Sequence, residues 1–213
     1  MKHVIIDYGV GNLGSIKNAC DRIGLETIVS SEIEDIKEAT SLILPGVGAF
    51  EDAMESLKES GLIPYILDHI NKGKYLLGIC LGMQLLYQES EEFGLHKGLG
   101  LFKGRIKEFD IALKVPHMGW NKLIFDQKKD PILKYIKEGD YVYFVHSFYA
   151  VSEGDEVVAS TNYEVKVPAI IHKENIYATQ FHPEKSGQIG LKILKAYGEL
   201  IRWLFYQLLI FKI

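Results

Sequence analysis

The sequence predicts an α/β fold: an open mixed, mostly parallel sheet with helices on both faces, followed by a second half rich in antiparallel strands. Three observations predict it. Short apolar runs alternate with segments of helical period over the first half of the chain; period-two runs dominate residues 98–177; an amphipathic helical segment closes the chain. Strands that alternate with helices are joined by right-handed crossovers, which makes their sheet parallel and covers both of its faces.

Taken in order, "HVIID" is the first strand, and Ile16, Ala19, Cys20 and Ile23 then trace an i, i+3, i+4, i+7 stripe closed by Gly24. "ETIVS" is the second strand, after which Ser31 and Glu34 offer a capping box for a short acidic helix. "SLILPG" is the third, followed by a helix face of Phe50, Met54 and Leu57 that stops at Gly61. "YLLGI" is the fourth, running into an expected helix over "CLGMQLLYQES". "YVYFVHSFY", "EVVAST", "PAIIH" and "NIYATQF" then read as strands with turns at "EGD" and "HKEN", and the last helix is expected to be capped by Ser186.

The length of 213 residues suits one domain, residues 1–213, and no repeat or linker composition divides it. With 47% hydrophobic and 24% charged residues the chain is an ordinary globular sequence, and a net charge of -4 leaves no basic excess for nucleic acid. Two cysteines cannot form a disulfide framework, so a reducing, cytoplasmic setting is expected. The most apolar stretch, "WLFYQLLIF", is far shorter than the ~20 residues of a membrane span. What the apolar tail, residues 203–213, does is left open.

The chemistry concentrates at "LLGICLGMQLL". An apolar strand meets Cys80 and then a helix start, with Gly78 and Gly82 two residues to either side. This is a nucleophile elbow with sulfur in place of oxygen, whose flanking glycines are a steric requirement of the tight turn. The helix beginning at Leu81 offers free backbone N–H groups to an oxyanion. A thiolate nucleophile needs a base, and the base an orienting carboxylate; His182 and Glu184 in "FHPEKS" supply both. Cys20, on the helix stripe, reads as a small buried hydrophobe. "LPGVGAF" ends the third strand, where open sheets bind ligands, and Val47 and Gly48 are the candidates for a second oxyanion donor. "GVGNLG" at residues 9–14 matches the glycine fingerprint of a dinucleotide loop, which by itself is a weak signal. The seven histidines show no zinc-ligand spacing, and neither metal nor cofactor is expected.

"PGVG", "GICLGMQ" and "FHPE", in that order and separation, resemble the triad-type, class I glutamine amidotransferases, and the resemblance spans nearly the whole chain. Within that family "DYGVGN", "PHMGWN" and "YFVHSFY" are most similar to the glutaminase subunits of imidazole glycerol phosphate synthases. The resemblance implies a Cys80–His182–Glu184 triad that hydrolyses glutamine through a thioester, an oxyanion hole from Leu81 with Val47 or Gly48, and glutamine contacts from Gly46, Gln84, Glu92, Ser147 and Phe148. It further implies a heterodimer with a (β/α)8-barrel cyclase that takes the ammonia. The partner face would include Asn12 and, from "PHMGWN", His117, Met118, Trp120 and Asn121. Three alternatives stay open at this point: a class I amidotransferase serving another synthase (anthranilate, guanylate, pyridoxal phosphate or surface-sugar pathways), a peptidase or γ-glutamyl hydrolase with the same elbow, and a dinucleotide-binding module built on "GVGNLG".

Overall fold

The computed structural model describes the backbone of residues 1–210 and the side chains of residues 1–203. The first half runs β1 (His3–Ile6), α1 (Leu13–Arg22), β2 (Thr27–Ser30), α2 (Ile33–Glu38), β3 (Ser41–Leu44), α3 (Phe50–Glu59), α4 (Ile63–Asn71), β4 (Tyr75–Ile79) and α5 (Leu81–Gln84). The second half adds β5 (Tyr87–Ser90), β6 (His96–Lys97), β7 (Phe102–Glu108), β8 (His117–Lys122), β9 (Ile124–Phe125), β10 (Tyr141–His146) and β11 (Phe148–Ser152). It ends with β12 (Val157–Tyr163), β13 (Val165–Lys173), β14 (Ile176–Thr179) and α6 (Gly187–Ile210).

The main sheet has eight strands in the order β2-β1-β3-β4-β14-β13-β12-β9. From β2 to β14 every pair is parallel; from β14 to β9 every pair is antiparallel. Two smaller sheets, β11-β7-β5-β6 and β10-β8, stand beside it. Alternation along the buried strands explains why they read as unbroken apolar runs. Val4, Ile6, Leu42 and Leu44 pack with α2, α3 and α4 on one face, while Ile5, Ile43, Leu77 and Ile79 pack with α1 and α6 on the other. Each fully buried side chain of this kind contributes about 1.5–3 kcal/mol of transfer free energy.

Four local expectations need correction. The residues after Ile63 form a separate helix, α4, with Pro64 in its first turn, which the sequence reading passed over. The helix after Cys80 is a single turn: the carbonyls of Leu85, Leu86, Tyr87 and Gln88 accept from residues 98–102, so cross-chain pairing draws the backbone into β5. The Ser31–Glu34 capping box is absent; Glu32 is the N-cap without a side-chain bond, and the Ser30 hydroxyl instead meets the Glu32 N–H and the Asp35 carboxylate. Ser186 precedes α6, but its hydroxyl is held by the Tyr143 N–H and donates to the His182 carbonyl. Among the described residues no helix is long and apolar enough to cross a membrane. Of the apolar tail, the side chains beyond Trp203 lie outside the described residues.

Candidate active site

The site gathers at the carboxyl ends of three adjacent parallel strands, β3, β4 and β14. Cys80 leaves β4 with φ 55° and ψ -110°, a left-handed backbone that a non-glycine residue adopts only when its surroundings impose it. The imposing contacts are close. A Cβ on Gly82 would lie 2.0 Å from the Leu44 carbonyl oxygen, so this glycine lets the turn after Cys80 press against the end of β3. The Cys80 carbonyl accepts from the Met83 and Gln84 N–H groups at 3.0 and 3.2 Å, which starts α5 and leaves the Leu81 N–H outside the helix ladder. A one-turn helix has little macrodipole, so what it brings to the sulfur is these oriented donors.

On the neighbouring strand the Thr179 carbonyl accepts the Cys80 N–H at 2.7 Å, which fixes β14 against the elbow. Three residues on, His182 is clamped through its backbone: its N–H donates to Tyr143 on β10 at 3.1 Å, and its carbonyl accepts from Ser186. Its Nδ1 lies 2.8 Å from Glu184 Oε1, with both side chains almost wholly buried, and the imidazole also interacts with the Cys80 side chain. Glu184 Oε2 has no partner among the described residues, so the carboxylate's hydrogen bonding falls on the imidazole. Burial acts to lower the His182 pKa, but the hydrogen bonds and charges of Cys80 and Glu184 outweigh it and raise the pKa from 6.5 to about 9. Cys20 is the contrast: fully buried, its thiol is pushed up to about 12 by desolvation.

A cavity of about 430 Å³ opens over the sulfur. Val47, Gly48, Leu81 and Gln84 line it with Cys80 and His182, as do Glu92, Ser147 and Phe148. Several of these are already engaged. Glu92 gives Oε2 to the Phe50 N–H at the start of α3, at 2.7 Å, and burial raises its pKa against the pull of that bond. The Phe148 carbonyl accepts from Gln84 Nε2 at 3.0 Å and His146 Nδ1 at 2.8 Å, and the Ser147 carbonyl from the Phe109 N–H at 3.2 Å, so the backbone on offer here is the Ser147 and Phe148 N–H groups. Gly46 lies outside the cavity lining, pressed on the elbow, where a Cβ would come 2.7 Å from the Gly82 nitrogen. A larger, open hollow of about 790 Å³ beside Asp126, Tyr149 and Lys166 is lined by neither cysteine nor histidine. Among the described residues no group of three or more His, Cys, Asp or Glu side chains could hold a metal.

The glycine fingerprint has a different job from the one its pattern suggests. A Cβ on Gly11 would meet the Pro45 ring at 2.9 Å, and the Tyr8 hydroxyl donates to the Pro45 carbonyl at 2.7 Å; the loop packs on "PGVG". On β8, Met118 and Trp120 are 59% and 53% exposed, and Trp120 meets Tyr143 edge-on at 6.0 Å. His117 faces the other way. It is 1% exposed, hydrogen-bonded to His146 and Asn121 at 3.0 Å each, and supports this face from within, so the expectation that it contacts a partner is corrected. Gln180, Tyr8 and His146 were missed by the sequence reading because each acts through partners far away in the chain.

Residues 4–196 match the family described as glutamine amidotransferase class-I. The chain belongs to that family. This amidotransferase is 52% identical over 204 residues, 92% of it and 96% of the relative, to the imidazole glycerol phosphate synthase subunit HisH of Geobacillus sp. (strain WCH70). It is 51% identical over 201 residues, 94% of it and 98% of the relative, to the protein of the same name from Caldanaerobacter subterraneus subsp. tengcongensis. Its fold is shared with a structure described as glutamine amidotransferase (TM-score 0.74, 19% identity, covering 93% of this chain and 98% of that one). It is shared equally with PurLQS from Thermotoga maritima (TM-score 0.74, 19% identity, covering 94% and 98%).

The buried His182 gives the amidotransferase a pH linkage. Its pKa is higher in the folded state than the unfolded value of 6.5, so its contribution to stability is complete below about 6.5 and is lost as the pH rises through about 9. The melting-temperature advantage of the wild type over His182→Asn is therefore expected to shrink between pH 6 and pH 9.5. A gap that stayed constant across that range would contradict the pairing.

Proposed function

We propose that this chain is the glutaminase subunit of an imidazole glycerol phosphate synthase. It hydrolyses glutamine to glutamate and passes ammonia to a (β/α)8-barrel cyclase subunit, which forms imidazole glycerol phosphate and AICAR in histidine biosynthesis. What carries the reading is an elbow cysteine beside a buried His–Glu pair in a chain half identical, over nearly its full length, to HisH subunits.

In this reading the Cys80 thiolate attacks Cδ of the glutamine side chain and pushes the carbonyl electrons onto oxygen. The oxyanion takes hydrogen bonds from the Leu81 N–H and from Val47 or Gly48. As the tetrahedral species collapses, the C–N bond breaks and His182, oriented by Glu184, gives the departing nitrogen its proton. His182, now neutral, takes a proton from water, whose oxygen attacks the thioester; the C–S bond breaks and glutamate leaves. Gln84, Glu92 and the backbone of Ser147 and Phe148 hold the substrate, with Gly46 acting from behind the elbow. Ammonia set free in water becomes ammonium and is lost as a nucleophile, so a receiving subunit must dock over the cavity. Met118, Trp120, Asn121 and Asn12 are the surface we assign to it, an exposed aromatic being a common interface anchor. Both cysteines are free, as a reducing cytoplasm keeps them.

The test is glutamate release from glutamine with and without the cyclase of the same organism. The cyclase is expected to raise the rate and to form its own product from glutamine. No response to the cyclase, with stimulation by an anthranilate or guanylate synthase subunit, would reassign the acceptor.

A further inference from the structure

Beside the sulfur lies a buried polar group for which the triad chemistry has no use. Gln180, 0% exposed, sits between β14 and His182, with Nε2 3.8 Å from Cys80 Sγ. We propose that the Gln180 carboxamide belongs to the catalytic centre, as an N–H donor that holds the Cys80 sulfur whenever it carries negative charge. This rests on reading Cys80 as the nucleophile.

Which end of a carboxamide faces an anion decides whether it attracts or repels, and here the neighbours decide. The Phe148 carbonyl can only accept, so Gln84 must turn its NH2 toward it, at 3.0 Å. The second proton of that NH2 points at Gln180 Oε1, 3.1 Å away. With its oxygen taken, Gln180 has only its NH2 to offer the sulfur. The Phe148 carbonyl is held in turn by His146 Nδ1 at 2.8 Å, and His146 Nε2 meets His117 Nδ1 at 3.0 Å. One carbonyl thus sets the direction of the donors from His117 Nδ1 through His146 on one side and from Gln84 through Gln180 to the sulfur on the other.

The other polar group near the sulfur works the opposite way. The Val145 carbonyl lies 4.0 Å from Sγ and can accept only from the protonated thiol. Ionisation therefore leaves the sulfur with two donors, His182 and Gln180. When His182 has given its proton to departing nitrogen, Gln180 is the remaining side-chain donor for the thiolate that leaves the thioester. The titratable groups around the sulfur are His182 with Glu184 behind it, Tyr8, and His146, Glu92 and Lys185 in the cavity wall, and the Gln180 side chain hydrogen-bonds none of them.

The experiment compares wild type with Gln180→Met in complex with the cyclase, following alkylation of Cys80 by iodoacetamide from pH 5 to pH 10 by peptide mass. Loss of the donor is expected to raise the alkylation midpoint by about one pH unit and to lower kcat/KM for glutamine about tenfold. An unchanged midpoint in a variant that melts like wild type would reduce Gln180 to packing and overturn the proposal. A measurement on unaltered protein guards against misfolding: the Gln180 side-chain amide resonances should shift with the Cys80 titration, and resonances that ignore it count against the proposal. Failure of the underlying reading looks different, since Cys80→Ala would then still hydrolyse glutamine whatever Gln180 does.

Discussion

Cys80→Ala is expected to lower glutamine hydrolysis by about 10⁴-fold or more, the loss seen when the nucleophile of a unit that acts together is removed. No second sulfur can substitute, because Cys20 is sealed in the core with its thiol pushed up to about 12. The variant should fold: alanine fits the elbow's cavity-facing position, and it removes no backbone bond. It should also still dock, so a cyclase bound to it is expected to make its product at the wild-type rate when ammonia is supplied directly. Glutamate release assayed beside ammonia-driven synthesis gives both quantities in one preparation. Retained glutaminase activity would remove the thioester route altogether. Loss of both activities would point to a structural role for Cys80 and leave the chemistry elsewhere.

The parts of this site that were legible in the sequence are those fixed by short spacing. Gly78, Cys80 and Gly82 lie within five residues and must satisfy one tight turn; His182 and Glu184 are two apart and reach each other directly at 2.8 Å. The parallel pairing of β1, β3 and β4 follows from alternating strands and helices, as the sequence implied. What stayed hidden depends on partners brought together only by folding. Gln84 meets Gln180 across 96 residues and Gln180 meets Cys80 across 100, and no local pattern marks a buried glutamine as anything but an oddity. The early end of α5 has the same origin, since pairing of residues 85–88 with 98–102 overrides a run of good helix formers. "GVGNLG" misled in the other direction. Glycines needed for close packing on Pro45 give the same pattern as glycines needed for a phosphate.

Gly82→Ala is expected to be among the most disruptive single methyl additions in the protein. The added carbon would sit 2.0 Å from the Leu44 oxygen and 2.9 Å from its carbonyl carbon, both main-chain atoms of β3 that cannot rotate aside. Relief requires moving the elbow off β3, which breaks the register that sets Val47 and Gly48 over Cys80. A loss of about 4 kcal/mol or more places it in the upper tail of point-mutation effects, equivalent to a fall on the order of 10 °C in melting temperature for a chain of this length. Gly78→Ala is the control. There the new carbon meets Gly82 oxygen at 3.0 Å and the Ala178 methyl at 3.1 Å, contacts that a few tenths of an ångström relieve, for about 1–2 kcal/mol. Calorimetry on both variants, with Cys80 alkylation as a report on elbow geometry, separates the two glycines. Should Gly82→Ala melt like wild type and alkylate at the wild-type rate, the close approach of the elbow to β3 is not what holds the sulfur in place.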